Sequence, residues 1–376
     1  MLLMNGTVFT GKSFQKDLRV RMENGRITET GDELTPCAGE TAVDLGGDYL
    51  LPGFVDVHIH AFHGFDTMRG EPDIRNMSRK LAETGVSVFC PTTMSAGDDE
   101  TRTALRGVRS VMQSPETKGA RIAGAHLEAP FLSEKHAGAQ LKEYFRDPDT
   151  VWLESVTEGH PEIVRLITLA PERYGSMEFI RKVSDMGIRL SVGHTDADAE
   201  TVHLAADCGA DHSTHTFNAQ TPIHHRSPGV PGAVLTDDRY FCEMICDGIH
   251  LNRDIVRLIA RCKGAERAVA ITDAMEAAGL PDGEYTLGGQ KVIVREGAAR
   301  LEDGTLAGSV LTMPAALENL INRFGILPED ACSMCTSAPA ASIGVKLAGN
   351  MVPGSPAPLT RWSREWKMLD VIGVAN

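Results

Sequence analysis

Apolar residues in this chain come in short runs that recur at regular intervals. Between residues 54 and 273 eight of them follow one another: "FVDVHIH", "GVSVFCPTT", "RIAGAHLEA", "VRLITLAPE", "IRLSVGHT", "DHSTHTFNA", "YFCEMICDGIH" and "RAVAITDA". Runs this short and this apolar fit strands buried on both faces, as in a parallel sheet. The segments between them carry helical spacing. Ile74, Met77 and Leu81 fall on one helical face, and "ADAETVHLAADCG" ends on a glycine that stops a helix. Eight strands alternating with helices predict an α/β chain folded as a (β/α)8 TIM-like barrel.

The two ends follow a different rhythm. Residues 1 to about 50 read as β, with "LLMNGTVFT", "LRVRM", the turn signal "NGRI" and "TAVDLGGDYLLPG". After 280 the pattern is again β through "GEYTLGGQKVIVREGAARLEDGTLAGS", then helical through "LTMPAALENLINRFG" and "PEDACSMCTSAPAASIG". The tail "VPGSPAPLTRWSREWKMLDVIGV" is strand-like at its ends. The expectation is a small β-sandwich domain built from residues 1–52 and 346–376, with the barrel, residues 53–345, inserted between its halves.

Composition narrows the function. The 376 residues carry a formal net charge of −14. That excludes a general nucleic-acid or anionic-membrane binder, since both need a basic face. An anionic substrate would have to be held by a local positive cluster working against the global field. The eight cysteines are scattered, and "CSMC" at 332–335 has no second pair at zinc-ribbon spacing, so it reads as small buried side chains on a helix. The first residues show no basic segment followed by an apolar one, and no run of 18 apolar residues occurs. A cytoplasmic chain with reduced thiols is the expectation.

In "GFVDVHIH", His58 and His60 stand two apart on a strand and project to one face. The same spacing arises when a strand merely uses histidine twice, so the rest of that face decides. Glu128 closes the third apolar run, His194 the fifth, His215 the sixth and Asp273 the eighth. Active sites of such barrels lie at the C-terminal ends of the strands. Six metal-capable residues at corresponding positions on five strands point to a metal site, with His58 and His60 as ligands or ligand-like. Imidazoles and carboxylates suit a divalent ion, zinc or iron, with one or two per chain. Such an ion supplies hydroxide from water near neutral pH. Asp273 can take the proton released and pass it to a leaving group. A metal-dependent hydrolase follows from these residue types; the bond it cleaves does not.

The strings "HLEAPF" at 126, "GHTDAD" at 193, "THTFNA" at 214, "CDGIH" at 246 and "ITDAM" at 271 closely resemble the N-acetylglucosamine-6-phosphate deacetylases of the amidohydrolase superfamily, as do "DGEYTLGGQ" at 282 and "DGTLAGSVLTM" at 303. The resemblance implies hydrolysis of the N-acetyl group of N-acetylglucosamine 6-phosphate to glucosamine 6-phosphate and acetate. It assigns metal ligation to Glu128, His194 and His215 and acid–base catalysis to Asp273. It also allows a second ion at His58 and His60, with Glu128 bridging. Substrate contacts fall on Ala139, Asn218, Ala219, Arg226, His250, Leu306, Ala307 and Gly308. Arg226 offers a planar fork to a phosphate, and the loop "RSPGVPG" offers free amides. The family is usually dimeric, so a homodimer is expected, with Phe62, His63 and Phe65 at a shared pocket edge.

Three departures stand out. Ser227 replaces an acid beside Arg226. Gln140 stands where some members have a histidine credited with polarising the acetyl carbonyl. The tail "PGSPAPLT" carries extra prolines, which predict a weakened strand. Competing readings are a deacetylase of N-acetylgalactosamine 6-phosphate, a non-catalytic scaffold of the same fold, and another amidohydrolase such as a dihydroorotase-like enzyme.

Overall fold

The computed structural model describes residues 1–114 and 118–374. Its centre is a parallel barrel. The first strand, Phe54–Ile59, pairs with the second, Val86–Thr93, and every residue of both is buried. Ala125–Leu127, Val164–Leu169, Arg189–Val192, His212–Ser213, Phe241–Ile245 and Ala268–Ile271 follow, each parallel to the one before. Burial on both faces explains why these strands read as nearly unbroken apolar runs. The third run is interrupted: Arg121–Ile122 and Ala125–Leu127 pair separately with the second strand. Between them lies Gly124, at φ +141°.

Helices fill the connections, as the periodicity predicts. Glu71–Glu83 buries Ile74, Met77 and Leu81 on its inner face. Ala199–Cys208 is capped by the Asp198 carboxylate on the Thr201 N–H and stopped by Gly209 at φ +117°.

The ring closes without a regular ladder among the described residues. Between the eighth and first strands the Asp273 N–H donates to the His58 carbonyl at 2.9 Å. The His60 and Ala61 N–H groups donate to the Ala274 carbonyl at 3.0 Å, and the Asp56 carboxylate accepts from the Thr272 hydroxyl at 2.6 Å and the Thr272 N–H at 3.3 Å.

Outside the barrel lie two sheets made from the chain ends. One runs Arg26–Gly31, Arg19–Glu23, Leu2–Met4 and Ala42–Asp44 in spatial order. The other runs Met368–Ile372, Leu359–Trp362, Tyr49–Pro52, Thr7–Phe9 and Phe14–Lys16. Leu3, Val20 and Ile27 of the first and Val8, Leu50 and Leu359 of the second share one apolar core. The proline-weakened tail strand is not what forms. Pro353, Pro356 and Pro358 all precede Leu359–Trp362, which is paired on both edges, so they remove no donor from its ladder.

A third sheet, Gly283–Leu287, Gln290–Arg295 and Ala298–Arg300, is antiparallel. Its inner face packs Leu287, Val292 and Ala299 against Met94 and Met275, which follow the second and eighth barrel strands. The sheet is thereby placed at the C-terminal mouth of the barrel.

Candidate active site

A cavity of about 360 Å³ opens at that mouth. Of the residues expected to contact substrate, Ala139, Asn218, Ala219, His250, Leu306 and Gly308 line it. His60, Glu128, His194, His215 and Asp273 form its floor side, with His58 buried beneath them. Two expectations land elsewhere. Arg226 is exposed on a turn closed by His224 and Ser227, its Nη1 hydrogen-bonded to His225 Nε2 at 2.7 Å. Ala307 is turned into the apolar cluster with Met275 and Leu287. Phe62, His63 and Phe65 do not line the cavity either; Phe62 is buried in the chain's own core.

The metal-capable side chains meet. Glu128 Oε1 lies 3.2 Å from both His194 Nε2 and His215 Nε2, and 3.3 Å from His58 Nε2. Glu128 Oε2 lies 3.3 Å from His60 Nε2, so the carboxylate spans both histidine pairs. Asp273 Oδ1 stands 3.2 Å from His60 Nε2 and 3.5 Å from His58 Nε2. Two adjoining ligand groups face the cavity, Glu128–His194–His215 and His58–His60–Asp273.

The backbone turns sharply to achieve this. His194, His215 and Asp273 all have positive φ, at +45°, +28° and +49°. Such conformations are unfavourable for residues with a Cβ and persist where surrounding structure imposes them, typically at functional sites. Each comes two residues after its strand ends, so the turn swings the side chain over the barrel mouth.

Anchoring of the far ring nitrogens tests whether this set fits a cation. The His194 Nδ1–H donates to the His136 carbonyl at 2.8 Å, and the His215 Nδ1–H to the Asn218 carbonyl at 3.2 Å. In neutral rings so anchored, both Nε2 atoms carry lone pairs, and they face each other at 3.1 Å. Two lone pairs at that distance repel unless positive charge lies between them. His58 is anchored likewise, Nδ1 to Glu243 Oε2 at 3.0 Å, leaving a buried Nε2 with no hydrogen bond among the described residues. The donor set fits a divalent ion.

Electrostatics agree. Burial alone would depress the His58 and His60 imidazolium forms. The Glu128 and Asp273 carboxylates outweigh it, holding His58 well above the usual range and His60 at about 9. Burial pushes the Glu128 carboxyl up, but His58 and the contacts from His194 and His215 hold it well below the usual range. The cluster is built to stabilise positive charge at its centre.

The Gln140 amide is oriented by its neighbours. Its Oε1 accepts from the Ser95 N–H at 2.7 Å, so its NH2 group faces the centre and donates to Glu128 Oε2. Lys135 and His136 also line the cavity, at its rim, and both pair with Asp196. Neither stands out in the sequence, because a short 3-10 turn carries no period. Nor do Glu243 and Asp56. The available signal was a lone acid within an apolar barrel strand.

A family model described as the amidohydrolase family matches residues 49–370. The chain belongs to that family. Among curated amidohydrolases of this type, the N-acetylglucosamine-6-phosphate deacetylase of Bacillus subtilis (strain 168) is 35% identical, with 100% of this chain and 96% of that protein covered. The N-acetylgalactosamine-6-phosphate deacetylase of Escherichia coli O157:H7 is 36% identical over 93% of this chain and 92% of its own length. Among solved structures, a mutant of the Mycobacterium smegmatis N-acetyl-D-glucosamine-6-phosphate deacetylase, in complex with N-acetyl-D-glucosamine-6-phosphate, is 31% identical. It superposes with a TM-score of 0.91, covering 100% of this chain and 98% of that one.

Proposed function

We propose that this chain is a metal-dependent deacetylase that converts N-acetylglucosamine 6-phosphate to glucosamine 6-phosphate and acetate. The observation that carries the reading is the convergence of Glu128, His194, His215, His58, His60 and Asp273 on one cavity, with the far nitrogens of three rings anchored. The near full-length similarity to curated deacetylases supports the substrate class. Glu128, His194 and His215 would hold one ion, and His58 and His60 with Asp273 a second, zinc or iron. When bound, such an ion polarises a carbonyl and lowers the pKa of water.

The chain's own residues supply the rest. Asp273 holds the proton released by the attacking water and delivers it to the amide nitrogen, a poor leaving group until protonated. The oriented NH2 group of Gln140 donates to the acetyl carbonyl oxygen as negative charge grows there. Asn218, Ala219 and His250, which line the same cavity, receive the sugar and its phosphate, with Lys135 at the rim. Lys135 supplies a local cation at the cavity against the global charge of −14, and His250 supplies a ring nitrogen donor or acceptor.

A second reading has its own support: the Escherichia coli relative named for N-acetylgalactosamine 6-phosphate is as similar as those named for the gluco sugar. The test is steady-state turnover of both sugar phosphates and of unphosphorylated N-acetylglucosamine, with metal content measured on the same sample. Preference for the gluco phosphate with bound metal is expected. A metal-free chain without turnover of any of the three overturns the reading.

A further inference from the structure

Glu243 sits in the middle of the seventh barrel strand and has no exposed surface. Its neighbour Cys242 points outward to the helix Gly229–Thr236, where the thiol lies 3.9 Å from the Val234 carbonyl. Strand alternation therefore turns Glu243 into the barrel. There its Oε2 accepts two hydrogen bonds, from His58 Nδ1–H at 3.0 Å and from the His215 backbone N–H at 3.1 Å. Its Oε1 has no partner among the described residues.

One oxygen is thus shared by a member of each ligand group. His58 belongs with His60 and Asp273, and His215 with Glu128 and His194. Glu243 also lies with His58 and His126 in a third grouping whose candidate ligand atoms are within 4.8 Å of one another. A separate ion site there is disfavoured by His126, whose ring nitrogens are already engaged. Nδ1 is 3.2 Å from the Val57 carbonyl and Nε2 is 2.8 Å from the Thr168 hydroxyl.

We propose that Glu243 is a positioning residue that couples the two ion positions, and that occupancy at His58, His60 and Asp273 depends on it. The inference rests on the metal-dependent reading of the site. A carboxylate on the far nitrogen fixes the ring tautomer, aims Nε2 at the cluster and makes the imidazole a stronger donor. A buried carboxylate with one bare oxygen is costly, and positive charge arriving on the Nε2 side of His58 offsets that cost. The same oxygen holds the backbone of His215, in its left-handed turn, against the seventh strand.

The test strips the purified full chain of metal and titrates it with zinc, reading bound zinc per chain and the affinity of each step. The parent chain is expected to take up two ions. Glu243→Gln keeps the shape and an acceptor for the His215 N–H, and should retain the tighter ion while binding the second about ten- to a hundredfold more weakly. In a His58→Ala background, which lacks the ring Glu243 positions, Glu243→Gln should produce no further loss. Parent-like affinity for both ions in Glu243→Gln overturns the proposal, as does an equal loss with His58 absent. Should Glu243→Gln fail to fold, Glu243→Asp draws the carboxylate back while keeping its charge, and unchanged two-step binding there overturns it equally. A parent chain that binds no zinc overturns the metal-dependent reading itself; one that binds a single ion overturns only the coupling.

Discussion

The Nε2 atoms of His194 and His215 face each other at 3.1 Å while each Nδ1 is committed to a backbone carbonyl. Neither ring can turn away without breaking its anchor, and neither can donate to the other in its neutral form. Glu128 Oε1, equidistant from both at 3.2 Å, completes a three-sided cradle for one ion.

His194→Ala or His215→Ala should therefore remove the tightly held ion together with activity. Each substitution leaves Glu128 with one imidazole of the pair, too few donors for a site that keeps a position open for substrate. Metal analysis of the purified variants alongside turnover checks this. Full metal content with parent-like turnover in both would take the ion away from these residues.

Asp273 is the expected proton carrier. Asp273→Asn keeps the size of the side chain but cannot exchange a proton, so kcat should fall by roughly a hundred- to ten-thousandfold while substrate still binds. Pre-steady-state binding of the sugar phosphate and steady-state kcat separate the two effects. A variant with most of its kcat would leave Asp273 as a ligand only.

The barrel and the cluster at its mouth were legible because both leave periodic traces. Fully buried strands give apolar runs, and His58, Glu128, His194, His215 and Asp273 break those runs at corresponding points. What escaped has no period. The two-residue strand His212–Ser213 and the split at Gly124 depend on backbone pairing that a hydropathy pattern does not carry. Asp56 and Glu243 lie inside the apolar runs rather than at their ends. Asp56 closes the ring through Thr272 and Glu243 braces two ligands, and both roles need the closed barrel to be visible. Arg226 differs in the opposite way: its chemistry suits a phosphate, but in this chain its turn carries it to the surface, beside His225 Nε2.

His250 lines the cavity where Arg226 does not, and is the expected phosphate contact. Its Nδ1 is held by Asp247 Oδ2 at 2.7 Å, and Asp247 is itself fixed by the backbone N–H groups of Ile249 and His250 at 2.8 and 2.9 Å. That leaves Nε2 for a ligand in the cavity. A hydrogen bond to a charged group contributes about 1.5–3 kcal/mol, roughly ten- to a hundredfold. His250→Asn should raise KM for the sugar phosphate by that factor and leave turnover of unphosphorylated N-acetylglucosamine unchanged. Equal losses on both substrates would move the phosphate to another part of the cavity.

The last prediction concerns Gly193, which joins the fifth strand to His194. A Cβ built there would lie 2.6 Å from Thr214 Cβ and 2.9 Å from Thr168 Cγ2. Neither threonine can swing aside cheaply. Both are β-branched and restricted at χ1. Their hydroxyls bond each other at 2.8 Å, and Thr214 bonds Ser191 as well. Gly193→Ala must then push the turn at His194 away from the turn at His215, since Thr214 adjoins the latter. Overpacking of this kind costs about 1–3 kcal/mol, which a denaturant midpoint will register. The same displacement widens the 3.1 Å approach of the two Nε2 atoms, so metal affinity should fall along with stability. A Gly193→Ala chain of parent stability that holds its ion as tightly as the parent would show that the two turns move independently of this contact.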